Sequence, residues 1–211
     1  MAMRPAWSLN GKIINKQNYE FEFNAGFSKT QKQKNVVALH ESVGGKCLEV
    51  STKSFDEIGR KLSAFNLKLD GVPLECVFQS SKKYENGGPY SDMLYLSPKC
   101  AKRDERHRTS GKLIAFEYKD VKFDLEPKTF FYDYIYIKAV RESLSQEELF
   151  KILEYDYFTD IEFVPSKSIN CQAKSVAIIK ALLITFGEIP DIDANFEDYI
   201  AFYYYIKANE C

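Results

Sequence analysis

The segment Val176–Phe186, VAIIKALLITF, constrains the fold of this chain more than any other. Its single charge is Lys180, and it is too short to span a bilayer, which takes about 20 apolar residues. A helix that is apolar on all sides is stable only when protein covers it. The rest of the chain must therefore wrap a buried central helix, opened by Ser168 or Asn170 and running through Phe186. A hydrophobic content of 45% in 211 residues supplies a core without disulfides. The expectation is one α+β domain, mainly helical, with a small sheet.

Other segments punctuate themselves. Residues 7–27 alternate apolar and polar, which predicts strands with a turn over Asn15–Asn18. Ser28 caps a helix that begins near Thr30 and ends at Gly44-Gly45. Cys47–Ser51 reads as a strand, and Ser54 or Asp56 starts a short helix ending near Lys61. Asp70-Gly71 marks a tight turn between Leu67–Leu69 and Val72. A helix carrying Glu75 is expected to run to Tyr84. Ser97-Pro98 places a cap and a first-turn proline ahead of a helix over Pro98–Arg108. Leu113–Phe116 reads as a strand, and Thr129–Glu142 as a helix with inward aromatics. Ser145-Gln146-Glu147-Glu148 is a capping box. Phe158–Val164 is strand-like or irregular, and Asn195–Ala208 is a last helix.

Composition excludes several chemistries. The five cysteines, Cys47, Cys76, Cys100, Cys171 and Cys211, include no Cys-x-x-Cys pair. They read as reduced thiols rather than a zinc ribbon or a secreted scaffold. Only His40 and His107 exist, so no metal centre built on histidine is expected. Walker A and G-x-G-x-x-G loops are absent. The net charge of −1 confines any nucleic-acid contact to local patches. Met1–Trp7 lacks the apolar core of a signal peptide, so a cytoplasmic protein with no membrane association is expected.

Candidate chemistry concentrates in Leu62–Tyr84. Glu75, Gln79 and Lys82, at i, i+4 and i+7, share one face of a helix. They would line the rim of an apolar stripe formed by Leu74, Val77 and Phe78. The alternative is an amphipathic helix with a solvated flank. Lys29, Lys32 and Lys34 crowd a helix N-terminus, where anions are favoured; a solvated cationic turn is the plain alternative. Lys99, Lys102, Arg103 and Arg106 form a helical stripe able to meet DNA phosphates or a diphosphate. Internal ion pairs with Asp104 and Glu105 are the competing account. Asp160 and Glu162 are further carboxylates, and the aromatics of 130–136 and 202–205 are mostly core by type.

Several of these segments occur in the order seen in a known family. Leu62-Ser63-Ala64-Phe65-Asn66 leads into the Asp70-Gly71 turn and then Glu75, Gln79 and Lys82. Gly87-Gly88-Pro89-Tyr90, Ser97-Pro98, Ala101-Lys102-Arg103 and Phe131-Tyr132-Asp133 follow. Phe158–Phe163 and Ser168-Ile169-Asn170-Cys171-Gln172-Ala173 complete the series. Over roughly residues 25–187 the chain resembles the NADAR family, named for NAD and ADP-ribose. Within it, the chain looks like the branch encoded beside DarT-type DNA ADP-ribosyltransferase toxins.

That resemblance implies an N-glycosyl hydrolase that removes ADP-ribose from guanine bases in DNA, as antitoxin to a cognate ADP-ribosyltransferase. No cofactor is expected, and two histidines with cysteines that lack ligand spacing argue against a metal. Cleaving an N-glycosidic bond builds positive charge on the ribose anomeric carbon, which a carboxylate stabilises. The resemblance puts Glu75 at the catalytic glutamate. It puts a second acid within Asp156–Glu162, where Asp160 is chosen and Asp156 and Glu162 stay open. Lys32 is the candidate for a lysine that forms a Schiff base with an opened ribose. Lys29, Ser63, Asn66, Gln79, Lys82, Gly88, Lys102, Arg103, Arg106 and Asn170 are the expected substrate-binding residues.

The chain also departs from the family pattern. It lacks the tryptophan found before the helix at Thr129, with Phe123 in that neighbourhood, and Trp7 lies outside the shared region. Phe163-Val164-Pro165-Ser166-Lys167 replaces a Gly-rich segment. Three other functions compete: a pure ADP-ribose or NAD binding module, an antitoxin acting by direct protein contact, and a glycosidase for a small ribosylamine. A neighbouring ADP-ribosyltransferase gene would favour the DNA glycohydrolase and the protein-contact antitoxin.

Overall fold

The computed structural model describes residues 1–207; Ala208 and Cys211, named above, lie outside the described residues. In chain order the elements are β1 (Ala2–Asn10), β2 (Ile13–Phe21), α1 (Lys29–Val43), β3 (Cys47–Glu49), α2 (Glu57–Lys61), β4 (Lys68–Leu69), β5 (Val72–Pro73), α3 (Leu74–Ser80), β6 (Lys82–Tyr84), α4 (Pro98–Arg103), α5 (Arg106–Thr109), β7 (Leu113–Tyr118), β8 (Val121–Phe123), α6 (Phe130–Ser143), α7 (Gln146–Leu153), β9 (Tyr157–Thr159), α8 (Gln172–Phe186) and α9 (Phe196–Lys207). A short 3-10 helix, Ser91–Tyr95, precedes α4. The class is α+β and mainly helical, as expected. Two compact units are formed, Met1–Ser63 with the chain from Leu144 onward, and Ala64–Ser143.

The first unit is a four-stranded sheet, ordered β2-β1-β9-β3, with helices packed on it. The β1–β2 hairpin pairs Asn10 with Ile13, so its turn lies at Gly11-Lys12 and not over Asn15–Asn18. Gly11 adopts a positive φ of 61°, which a tight two-residue turn requires and glycine tolerates. The helix from Ser28 forms as expected: the Ser28 hydroxyl accepts from the Gln31 amide at 3.2 Å, and Gly44 ends α1. β9 pairs in parallel with β3 and antiparallel with β1. The apolar run becomes α8, packed on β1, β2 and β9 and flanked by α7 and α9. Its residues from Ala173 to Ile179 are all buried. It opens one residue after Cys171, and neither Ser168 nor Asn170 caps it.

The second unit is built around α6 and the three-stranded sheet β6-β7-β8. The ring of Phe131 lies against Phe116 at 4.6 Å and Phe123 at 4.9 Å, and Phe78 meets Tyr132 edge-on at 5.1 Å. Phe123 is thus a core residue. Two helices end earlier than their periodicity predicts. α3 stops at Ser80, and Lys82 lies on β6 instead. There the backbone pairs with β7, Lys82 opposite Phe116, while the Ser80 and Ser81 hydroxyls donate back to the Val77 carbonyl. The helix expected over Pro98–Arg108 breaks into α4 and α5. At the break Asp104 accepts from the Arg106 amide at 3.0 Å, a local alternative to continuing the helix.

Candidate functional site

In the second unit the chain holds α3 by its first turn. The Leu74 amide donates to the Leu67 carbonyl and the Glu75 amide to the Ala64 carbonyl. Those bonds fix the direction of the helix and with it the Glu75 side chain, which is only 5% exposed. Gln79, also buried, donates from Nε2 to Glu75 Oε1 at 2.8 Å. Lys82 donates from Nζ to Gln79 Oε1 at 2.7 Å. A carboxylate can only accept and an ammonium can only donate, so this amide orientation is the one that satisfies both neighbours. Lys102 Nζ approaches Glu75 Oε1 to 3.6 Å from the exposed side and also lies over the Phe65 ring.

Lys82 is half-buried, with its ammonium 5.1 Å from the Phe78 ring. Burial lowers its pKa to about 8; nearby Lys102 lowers it too, against the pull of Glu75. Gly88 secures the strand behind it. With φ 75°, a Cβ at Gly88 would collide with the Lys82 carbonyl oxygen. Asn66 and Arg103 are exposed in the same unit.

Arg106 is not part of this group. It makes paired contacts with Asp92 (3.0 and 2.7 Å) and with Asp104 (2.9 and 2.9 Å), and it stacks on Tyr90. Those bonds hold its pKa far above the ordinary arginine range. Its geometry braces the α4–α5 break, and the expectation that it shares one helix with Lys102 is overturned.

The first unit gathers a different set. Lys32 Nζ lies 3.2 Å from Glu162 Oε2, and the Glu162 amide donates to Asp160 Oδ1 at 3.0 Å. Gln172 donates to Asp160 Oδ2 at 3.0 Å. Asp160 is 5% exposed, and burial raises its pKa to about 6 despite those hydrogen bonds. Asp156 instead accepts from the Lys46 amide beside β9. Ser63 is buried, Asn170 half-buried just ahead of α8, and Lys29 exposed at the start of α1.

Sequence reasoning missed Glu49, a buried carboxylate in this unit. It accepts from the Ser51 hydroxyl (2.6 Å), the Thr159 hydroxyl (2.8 Å) and the Ile161 amide (2.9 Å). Two of those donors flank Asp160, so Glu49 holds the Thr159 side chain on one side of it and the Ile161 backbone amide on the other. Burial, then the charge of Asp160, raises the Glu49 pKa to about 8. His40 Nε2 lies 2.9 Å from the Thr159 hydroxyl, and burial lowers the His40 pKa to about 4. The available signal was a lone acid between apolar neighbours in Leu48-Glu49-Val50.

Among the described residues no His, Cys, Asp or Glu side chains cluster to hold a metal ion, and no helix is long and apolar enough to cross a membrane. The Glu75 group can place a fixed negative charge and a proton-bearing amine within one amide's width of each other. That is the equipment for stabilising a cationic carbon while a neighbouring atom is protonated. No curated protein matches this sequence. One family, described as DarT1-associated NADAR antitoxin, matches residues 2–211. With nearly every residue covered, this chain belongs to the NADAR-DarT1 family of DarT1-associated antitoxins.

Proposed function

We propose that the protein is an N-glycosyl hydrolase that removes ADP-ribose from guanine bases in DNA and so reverses the modification made by its partner toxin. The observation that carries this reading is the buried Glu75 carboxylate, held by Gln79 and approached by a cation at 3.6 Å. A ribose whose anomeric carbon replaced that cation would meet a preorganised negative charge in a site of low dielectric. Lys102 and Arg103, on the exposed side of α4, suit the diphosphate or the DNA backbone. The modified base must be reachable outside the stack, so single-stranded or frayed DNA is the favoured substrate form. Asp160 keeps the role of second acid on the strength of the family resemblance, and Lys32, from the cationic first turn of α1, is kept as the alternative Schiff-base amine.

The test is to incubate the protein with an oligonucleotide ADP-ribosylated on guanine and to measure free ADP-ribose and restored guanine. Release of both is expected. An oligonucleotide that is bound but never cut would return the chain to a binding module. Inhibition of the toxin with no effect on the modified DNA would return it to an antitoxin acting by protein contact.

A further inference from the structure

We propose that Lys82 is the general acid of the reaction, donating a proton to the guanine nitrogen as it leaves the ribose. The inference rests on the hydrolase reading above and assigns a role that Glu75 cannot fill. A departing base that takes the bonding electron pair carries negative charge unless it is protonated, and a placed acid removes that barrier. Glu75 is committed to the cationic carbon, accepts from Gln79 and faces Lys102.

Three features single out Lys82. Gln79 connects Lys82 to Glu75 by hydrogen bonds of 2.7 and 2.8 Å, so the ammonium and the carboxylate stand one primary amide apart. That gap suits a glycosidic bond, with the carboxylate at its carbon end and the ammonium at its nitrogen end. Lys82 is half-buried against Phe78, whereas the Lys102 side chain is 57% exposed. Strand pairing with β7 and the close approach of Gly88 fix the Lys82 backbone.

The charged groups around Lys82 are Glu75 on α3, Lys102 on α4 and His107 on α5. His107 Nε2 donates to the Ala101 carbonyl at 2.8 Å, its Nδ1 lies 2.8 Å from the Tyr84 hydroxyl, and burial lowers its pKa. Burial also brings Lys82 to about 8, so near neutrality the ammonium is mostly protonated and a stronger acid than an exposed lysine.

The step balances without a co-reactant. The bond between the anomeric carbon and nitrogen breaks, and its electron pair stays on nitrogen. That nitrogen takes a proton from Lys82 Nζ. Water adds to the anomeric carbon and gives a proton to Glu75. Exchange with solvent returns both side chains to their starting states.

The test compares wild type with K82R, which keeps a cation in place but does not release a proton at working pH. Two substrates are used: the guanine-modified oligonucleotide, and ADP-ribose bearing 4-nitrophenolate at the anomeric carbon, a group that departs as a stable anion. On guanine, K82R should lose about 100-fold or more in single-turnover rate. On the nitrophenyl substrate the loss should shrink by at least an order of magnitude. The wild-type rate on guanine should fall as pH rises through about 8, and K82R should lack that limb. Melting curves confirm that K82R folds. Equal losses on both substrates, or an alkaline limb that K82R retains, overturn the assignment and leave the hydrolase reading standing. A wild type inert on guanine overturns both.

Discussion

The substitution E75Q tests the central claim with little change in shape. The new amide keeps an oxygen to accept from Gln79, and the side chain stays the same size in a position 5% exposed. What disappears is the charge. Lys102 shows how near a cation comes to this carboxylate, 3.6 Å. A full charge at that distance and an effective dielectric of about 20 is worth about 4.6 kcal/mol. An oxocarbenium-like carbon carrying roughly two thirds of a charge would lose about 3 kcal/mol, a rate loss on the order of 100-fold. Stability should change by less than about 1 kcal/mol, because the ion pair lost is open to solvent on the lysine side. E75A, in contrast, leaves Gln79 Nε2 unsatisfied in a buried site and should cost about 1–3 kcal/mol of stability. Single-turnover release of ADP-ribose reports the first effect and urea denaturation the second. A folded E75Q that turns over at nearly the wild-type rate refutes the electrostatic argument, whatever E75A does.

Three further outcomes are expected. G88A should lower Tm by about 4–8 °C, since the new methyl meets the Lys82 carbonyl at a positive φ; an unchanged Tm would show that the strand yields. K102A should raise KM for modified oligonucleotide and flatten its salt dependence, whereas R106A should lower stability by about 1 kcal/mol and leave KM alone, because Arg106 is engaged by Asp92 and Asp104; an R106A that behaves like K102A would place Arg106 at the ligand. Glu49 and Asp160 hold protons more tightly in the fold than in the unfolded chain, so their stabilisation is complete below the ordinary carboxylate range and is lost as pH rises through about 6 for Asp160 and about 8 for Glu49; His40, lowered to about 4, acts in the opposite sense below about 6.5, so the readout is wild type minus E49Q in urea at pH 5 to 8, and a difference that does not change with pH would refute it.

The legible parts of the fold were those written in local chemistry. Ser28, Ser97 and the Ser145–Glu148 box cap helices where the sequence places them, because a hydroxyl satisfies an amide two or three residues away whatever the tertiary context. Asp70-Gly71 turns as read, with φ of 52° at Asp70 and 76° at Gly71. The failures came where a local bond or a distant strand overrode periodicity. Asp104 ends α4 by binding Arg106, and β7 draws residues 82–84 out of a helix. Gly11 offered a turn signal at Gly11-Lys12, as Gly71 did at Asp70-Gly71, and the alternation further along β2 obscured it.

The candidate site shows why a motif can be right about contacts and wrong about the element that makes them. The helical spacing of Glu75, Gln79 and Lys82 predicts neighbours on one face, yet Lys82 reaches Gln79 from a strand. What the proposed chemistry requires is an ammonium one amide away from a carboxylate. A helix that stops at Ser80 meets that requirement while fixing Lys82 through a sheet, which is a stiffer mount than a fraying last turn. Glu49 is the complementary case. Its bond to Thr159 joins residues 110 apart through the parallel pairing of β3 with β9, so no window of sequence contains both ends. Nothing local marks a buried acid as a clamp; its partners exist only once the sheet is assembled. The acid that sets the backbone around Asp160 is therefore visible in three dimensions alone, while the rack around Glu75 is written within twenty-eight residues, from Glu75 to Lys102.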